Sequence, residues 1–145
     1  MEKISFIENI NASKETVWKV LWEDETYRDW TKVFSEESHA VSDWEEGSRI
    51  QFLDGKGRGM YSVIERKIPN EFISFKHLGE IKDGEEKPFA EDSGWNGGIE
   101  SYKLTESDGT TELVAESDIV EEFKDFMNEK FPLALARVKE LAEAQ

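Results

Sequence analysis

The sequence predicts an α+β fold: a curved, seven-stranded antiparallel sheet around a long, kinked C-terminal helix, with two short helices after the first strand. Three observations carry this. Hydrophobic periodicity changes from 3.6 to 2 near Ser38 and returns to 3.6 in the last element. Most boundaries between the strand-like runs carry turn chemistry. Phe123, Met127, Phe131, Leu135, Val138 and Leu141/Ala142 form one apolar stripe, long enough to cover the hydrophobic face of a sheet.

Each element has a local reason. From Lys3 to Ile10 the residues alternate, with Ile4, Phe6 and Ile10 on one face interrupted by Glu8. Asn11-Ala12-Ser13 stops that strand and supplies an N-cap, and Glu15 falls in the first helical turn, where a negative charge is favoured. Val17, Val20 and Leu21 then recur at helical spacing, with Trp18 and Trp22 one turn apart. A second short helix over Glu25 to Thr31 presents Tyr27 and Trp30. Six strands follow, at Ser38–Trp44, Ser48–Asp54, Arg58–Ile68, Glu71–Ile81, Gly98–Glu106 and Thr110–Ile119. Glu45-Glu46-Gly47, Asp54-Gly55, Pro69-Asn70, Asp83-Gly84 and Asp108-Gly109 provide positive-φ or proline-fixed turns between them, and strands joined this closely pair antiparallel. Only the stretch between Asp83 and Gly97 is longer than a tight turn. Pro132 interrupts the backbone hydrogen bonding of the last helix, so a kink is expected near Asn128 to Phe131.

Composition narrows the function. The 145 residues carry 18 Lys+Arg against 33 Asp+Glu, a formal charge of −15, with no basic stripe for a phosphate backbone. Nucleic acid is thereby excluded as a partner, and the same repulsion disfavours anionic membrane surfaces. With 9 Phe, 5 Trp and 3 Tyr, the chain has enough apolar area to order itself as a single domain over residues 1–145. There is no cysteine, so disulfides, thiol nucleophiles and thiolate metal sites are absent. No segment reaches the roughly 20 apolar residues of a membrane span, and Met1 to Phe6 lacks the pattern of a signal peptide; a cytoplasmic location is expected.

This order of elements resembles the helix-grip fold of the START/birch-pollen-allergen-like (SRPBCC) superfamily. The nearest likeness within it is to the homologues of the activator of the heat-shock chaperone ATPase. The matching residues are Ala12-Ser13-Lys14-Glu15-Thr16-Val17-Trp18, Ser42-Asp43-Trp44-Glu45-Glu46-Gly47-Ser48 and Ile73-Ser74-Phe75-Lys76-His77-Leu78-Gly79. To these add Trp95 with Glu100 and Tyr102, the closing Phe131-Pro132-Leu133-Ala134-Leu135, and Lys139-Glu140-Leu141-Ala142. The resemblance implies a ligand-binding domain that holds an apolar molecule between sheet and long helix. These motifs are mainly structural, and a fold does not settle a function.

A strongly curved sheet meets a kinked helix imperfectly, and the resulting gap is the expected pocket. Its candidate walls are Phe52, Met60, Phe75, Tyr102, Leu113, Met127, Phe131 and Leu135, each of which taken singly reads first as core filling. His77 lies on the Ile73/Phe75 face, and with two histidines in the chain a site using one is limited to His77 or His39. Glu100 alternates with Gly98, Tyr102 and Leu104 on an otherwise apolar face. A carboxylate there must find a partner, take up a proton, or sit where the face opens to water. Trp95, within Ser93-Gly94-Trp95-Asn96-Gly97-Gly98, is the candidate gate. Other patterns carry no chemistry. Gly55-Lys56-Gly57-Arg58-Gly59 lacks the Ser/Thr of a phosphate loop and joins two strands, and no calcium, zinc or nucleophile-elbow spacing occurs.

Three functions compete at this level. The first is a binding module for a small apolar or aromatic ligand, anchored by His77, Glu100 or Tyr102. The second, implied by the resemblance, is a cyclase- or hydratase-type enzyme in the same cavity, which requires His77 and Glu100 to lie within about one water of each other. The third, which only the family resemblance implies, is a chaperone-associated interaction domain. No cofactor or metal is expected. The expected partners are a small hydrophobic ligand and, further, a chaperone or homo-oligomer contact.

Overall fold

The computed structural model describes residues 2–90 and 97–145. Strand β1 (Glu2–Ile10) leads to helices α1 (Lys14–Trp22) and α2 (Asp24–Trp30) and a 3-10 turn at Thr31–Val33. Strands β2 (His39–Val41), β3 (Arg49–Leu53), β4 (Gly59–Ile68), β5 (Phe72–Lys82), β6 (Glu85–Pro88), β7 (Ile99–Ser107) and β8 (Thr110–Ile119) follow, and α3 (Glu121–Glu143) closes the chain. This is the helix-grip architecture: a curved antiparallel sheet, short helices after β1 and a long C-terminal helix. The sheet runs β1-β8-β7-β5-β4-β3-β2.

The strand beyond the expected seven is β6, which pairs with β5 alone. Its two-residue turn was legible, since Asp83 and Gly84 take φ of 52° and 78°, the positive values that match strand twist. Its strand character was not, because all four residues of Glu85–Pro88 are exposed and offer no alternation. β6 takes up the edge of β5 that β7 leaves: Phe72–Lys76 pair with β7, whereas Gly79–Lys82 pair with β6.

Helix α1 starts where the sequence said. The Ser13 hydroxyl accepts the Thr16 N–H at 3.2 Å, satisfying one of the donors that a helix leaves unpaired. Its apolar face buries Val17, Val20, Leu21 and Trp22. Trp22 packs on Trp30, Tyr27, Phe75 and Tyr102, with ring centroids 5.0 to 6.4 Å apart and mostly edge-on, the arrangement that aromatic quadrupoles favour.

Helix α3 is unequal along its length. After Pro132, the residues Ala134, Leu135, Val138 and Ala142 are buried, and Phe131 just before it stacks on Phe6 at 5.0 Å. Arg137 donates to both carboxylate oxygens of Asp29 at 2.8 and 3.0 Å, tying α3 to α2 and holding the Asp29 carboxyl below its usual range. Before Phe131 no residue of the helix is fully buried, and Phe123 and Phe126 remain 45% and 42% exposed. The helix continues through Pro132. Its first turns stand over the sheet without filling the space below them.

Candidate functional site

That unfilled space is a cavity of about 270 Å³. Its aromatic walls are Trp30, Phe34, Phe52, Tyr102 and Phe131, with Met60 and Met127 beside them. Tyr27, Thr31, Ser38, His77, Glu100 and Phe126 complete the lining. A second space of about 300 Å³ lies alongside, toward the start of α3, between Ile119, Phe123, Phe89, Ser117, Gly59 and Glu80. The two share Met60, His77, Glu100, Phe126 and Met127 as a common wall.

The polar groups converge on Glu100. The Tyr102 hydroxyl donates to Glu100 Oε2 at 2.5 Å, and His77 Nε2 lies 3.7 Å from Oε1. His77 is 3% exposed and its Nδ1 sits 2.7 Å from the Ser62 hydroxyl, itself fully buried. The arrangement that suits this network has Nε2–H facing the carboxylate and Ser62 donating to Nδ1. The opposite tautomer would aim a lone pair at Glu100. The Glu100 side chain keeps 22% exposure, so the question raised by its position on an apolar face is answered by partners together with partial contact with the cavity.

Two tyrosines are held protonated by this arrangement. Burial pushes the Tyr27 and Tyr102 hydroxyls well above the usual tyrosine value, and the negative charge of Glu100 adds to both. For Tyr102 the hydrogen bond to Glu100 acts in the same direction, since only the neutral phenol can donate it. The site therefore presents hydroxyl donors beside one acceptor-only carboxylate.

A local irregularity brings these groups together. Ser62 pairs with His77 while its neighbour Tyr61 pairs with Gly79, so β5 carries one extra residue at Leu78. Beyond that bulge the facing is exchanged, and His77 and Glu80 both line the cavity system despite an odd separation. A period-2 reading of β5 puts them on opposite faces.

Of the residues expected at a pocket, Phe52, Met60, His77, Glu100, Tyr102, Met127 and Phe131 line the aromatic space. Phe75, Leu113 and Leu135 are fully buried in the core and form no part of the lining. Trp95, the expected gate, lies outside the described residues. The other histidine, His39, sits in edge strand β2 with Nδ1 donating to the Glu37 carbonyl at 2.9 Å. Not anticipated as lining were Tyr27, Trp30, Thr31, Phe34, Ser38 and Phe126. Tyr27 and Trp30 carried a signal, two aromatics on one face of a short helix, that could have placed them. Among the described residues, no group of three His, Asp or Glu side chains is arranged to hold a metal ion, and no helix is long and apolar enough to cross a membrane.

The model of one protein family, Activator of Hsp90 ATPase homolog 1-like protein (AHSA1), matches residues 11–143. The chain belongs to this family. Solved structures agree with the AHSA1 assignment at the level of the fold. The Aha1 dimer from Colwellia psychrerythraea is similar with a TM-score of 0.75 and 22% identity, covering 99% of this chain and 97% of that one. MLL2253 from Mesorhizobium loti reaches a TM-score of 0.77 at 13% identity, over 99% and 98% of the two chains. CalU16 from Micromonospora echinospora gives 0.67 at 15% identity, over 97% of this AHSA1 chain and 75% of its own. No curated protein matches.

Proposed function

We propose that this chain binds a small apolar or aromatic molecule in the cavity between sheet and C-terminal helix. The observation that carries the reading is the combination of aromatic walls with one buried polar focus, Glu100 with His77 and Tyr102. Burying an aromatic ring there removes apolar surface from water, and the polar focus orients it. The charge of −15 makes a neutral probe the right test. N-phenyl-1-naphthylamine is expected to give a saturable fluorescence rise on native protein at neutral pH. An unchanged signal from protein with an intact thermal transition refutes the binding function.

A second reading, a cyclase- or hydratase-type enzyme in the same cavity, draws on the 3.7 Å between His77 Nε2 and Glu100 Oε1. Two groups that close can exchange a proton directly or through one water. Acetophenone in deuterium oxide tests it: loss of its methyl proton signal should be faster with the native protein than with His77→Gln. Equal rates leave the binding reading alone.

A further inference from the structure

The two spaces under α3 differ in chemistry, and their common wall is the informative part. One is lined by aromatic rings, Trp30, Phe34, Phe52 and Phe131 among them. The other is lined by Ile119, Phe89 and Phe123, with the carboxylate of Glu80 at its side. Glu100 and His77 belong to both. So do Met60 and Met127, whose unbranched thioether chains change rotamer more readily than any other apolar wall. The polar focus thus stands between two apolar spaces, not at the end of one.

We infer that the ligand is a neutral amphiphile with an aromatic ring at one end, an aliphatic arm at the other, and a hydroxyl between them. This rests on the binding function proposed above. The ring fills the aromatic space. The hydroxyl meets Glu100 Oε1 as donor and His77 Nε2–H as acceptor, a pairing that a hydroxyl satisfies and a bare hydrocarbon does not. The arm passes between Met60 and Met127 into the second space. A carboxylate on the arm is disfavoured, because Glu80 and Glu100 both face that space.

Isomeric probes test the middle position without changing size or composition. The competitors 1-phenylheptan-1-ol and 7-phenylheptan-1-ol are titrated against bound N-phenyl-1-naphthylamine, with 7-phenylheptanoate as the charged counterpart. The carbinol isomer is expected to bind about tenfold tighter than the terminal alcohol, the usual effect of a hydrogen bond to a charged group. The carboxylate should be the weakest of the three. Glu100→Gln should reduce the difference between the alcohols to less than about threefold. Ser117→Leu, which fills the second space, should weaken 1-phenylheptan-1-ol while sparing 1-phenylethanol. Equal affinities of the two alcohols for the native protein overturn the inference and leave the binding function standing, whatever the variants do. So does failure of both alcohols to displace a dye that itself saturates. If the dye does not bind either, the binding function is what falls. A carboxylate that binds as well as the alcohols overturns the requirement for a neutral ligand.

Discussion

Phe131→Ala is expected to remove about 3–5 kcal/mol of stability, as truncation of a well-packed phenylalanine does. The ring is 2% exposed, stacks on Phe6 at 5.0 Å, and meets Phe34 and Tyr102 at 5.7 and 6.4 Å. It is the first residue of α3 to be fully buried, so it joins the helix to β1, to the segment after α2 and to β7 at once. Urea or thermal melts should show a fall in Tm of roughly 10–20 °C. Leu133→Ala, two residues on and 55% exposed, should stay within about 0.5 kcal/mol of the native protein. Comparable losses for the two variants would mean that α3 docks through a different face.

Alkaline pH should destabilise the fold steeply. Tyr27 and Tyr102 have hydroxyl pKa values raised by burial and by Glu100, so the native state keeps two protons that the unfolded chain releases near its ordinary tyrosine value of about 10. Their contribution is complete below that value. It disappears as pH climbs toward the raised native values. Well above pH 10 the two sites together lower stability by about 2.7 kcal/mol per pH unit. Denaturation midpoints between pH 8 and 11.5 measure the slope, and absorbance near 295 nm reports the tyrosinates, which should appear together with unfolding. Tyr102→Phe should halve the slope. An unaltered slope in that variant would show that Tyr102 ionises while still folded.

The cavity depends on the same feature as the stability. Buried residues of α3 run from Phe131 to Ala142, while the apolar residues of its first turns, Phe123, Phe126 and Met127, border open space. One stripe in the sequence therefore serves two purposes, and its spacing does not distinguish them. Hydrophobic periodicity reports which face of a helix avoids water and is silent on whether sheet, ligand or void lies opposite. Phe75, Leu113 and Leu135 illustrate the same limit from the other side: the first two alternate correctly toward the concave face and the third lies on the helix stripe, but all three are packed into the core.

The architecture was legible because it is built from local rules. Ser13 caps α1, positive-φ pairs such as Asp83-Gly84 and Asp108-Gly109 turn the hairpins, and alternation assigns one face of each long strand. Each of these acts within a few residues, so one chain read in order suffices. β6 escaped because an exposed, polar strand is selected by pairing with a neighbour, and pairing leaves no pattern in its own residues. The focus of the site is further removed from local rules. Glu100 of β7, His77 of β5 and Ser62 of β4 meet through strand register, and the extra residue at Leu78 sets that register while Tyr102 supplies the donor. Composition and periodicity specified elements, turns and the concave face; the alignment of strands distant in sequence decided which polar groups touch, because hydrogen bonds answer to ångström distances that spacing along the chain does not encode.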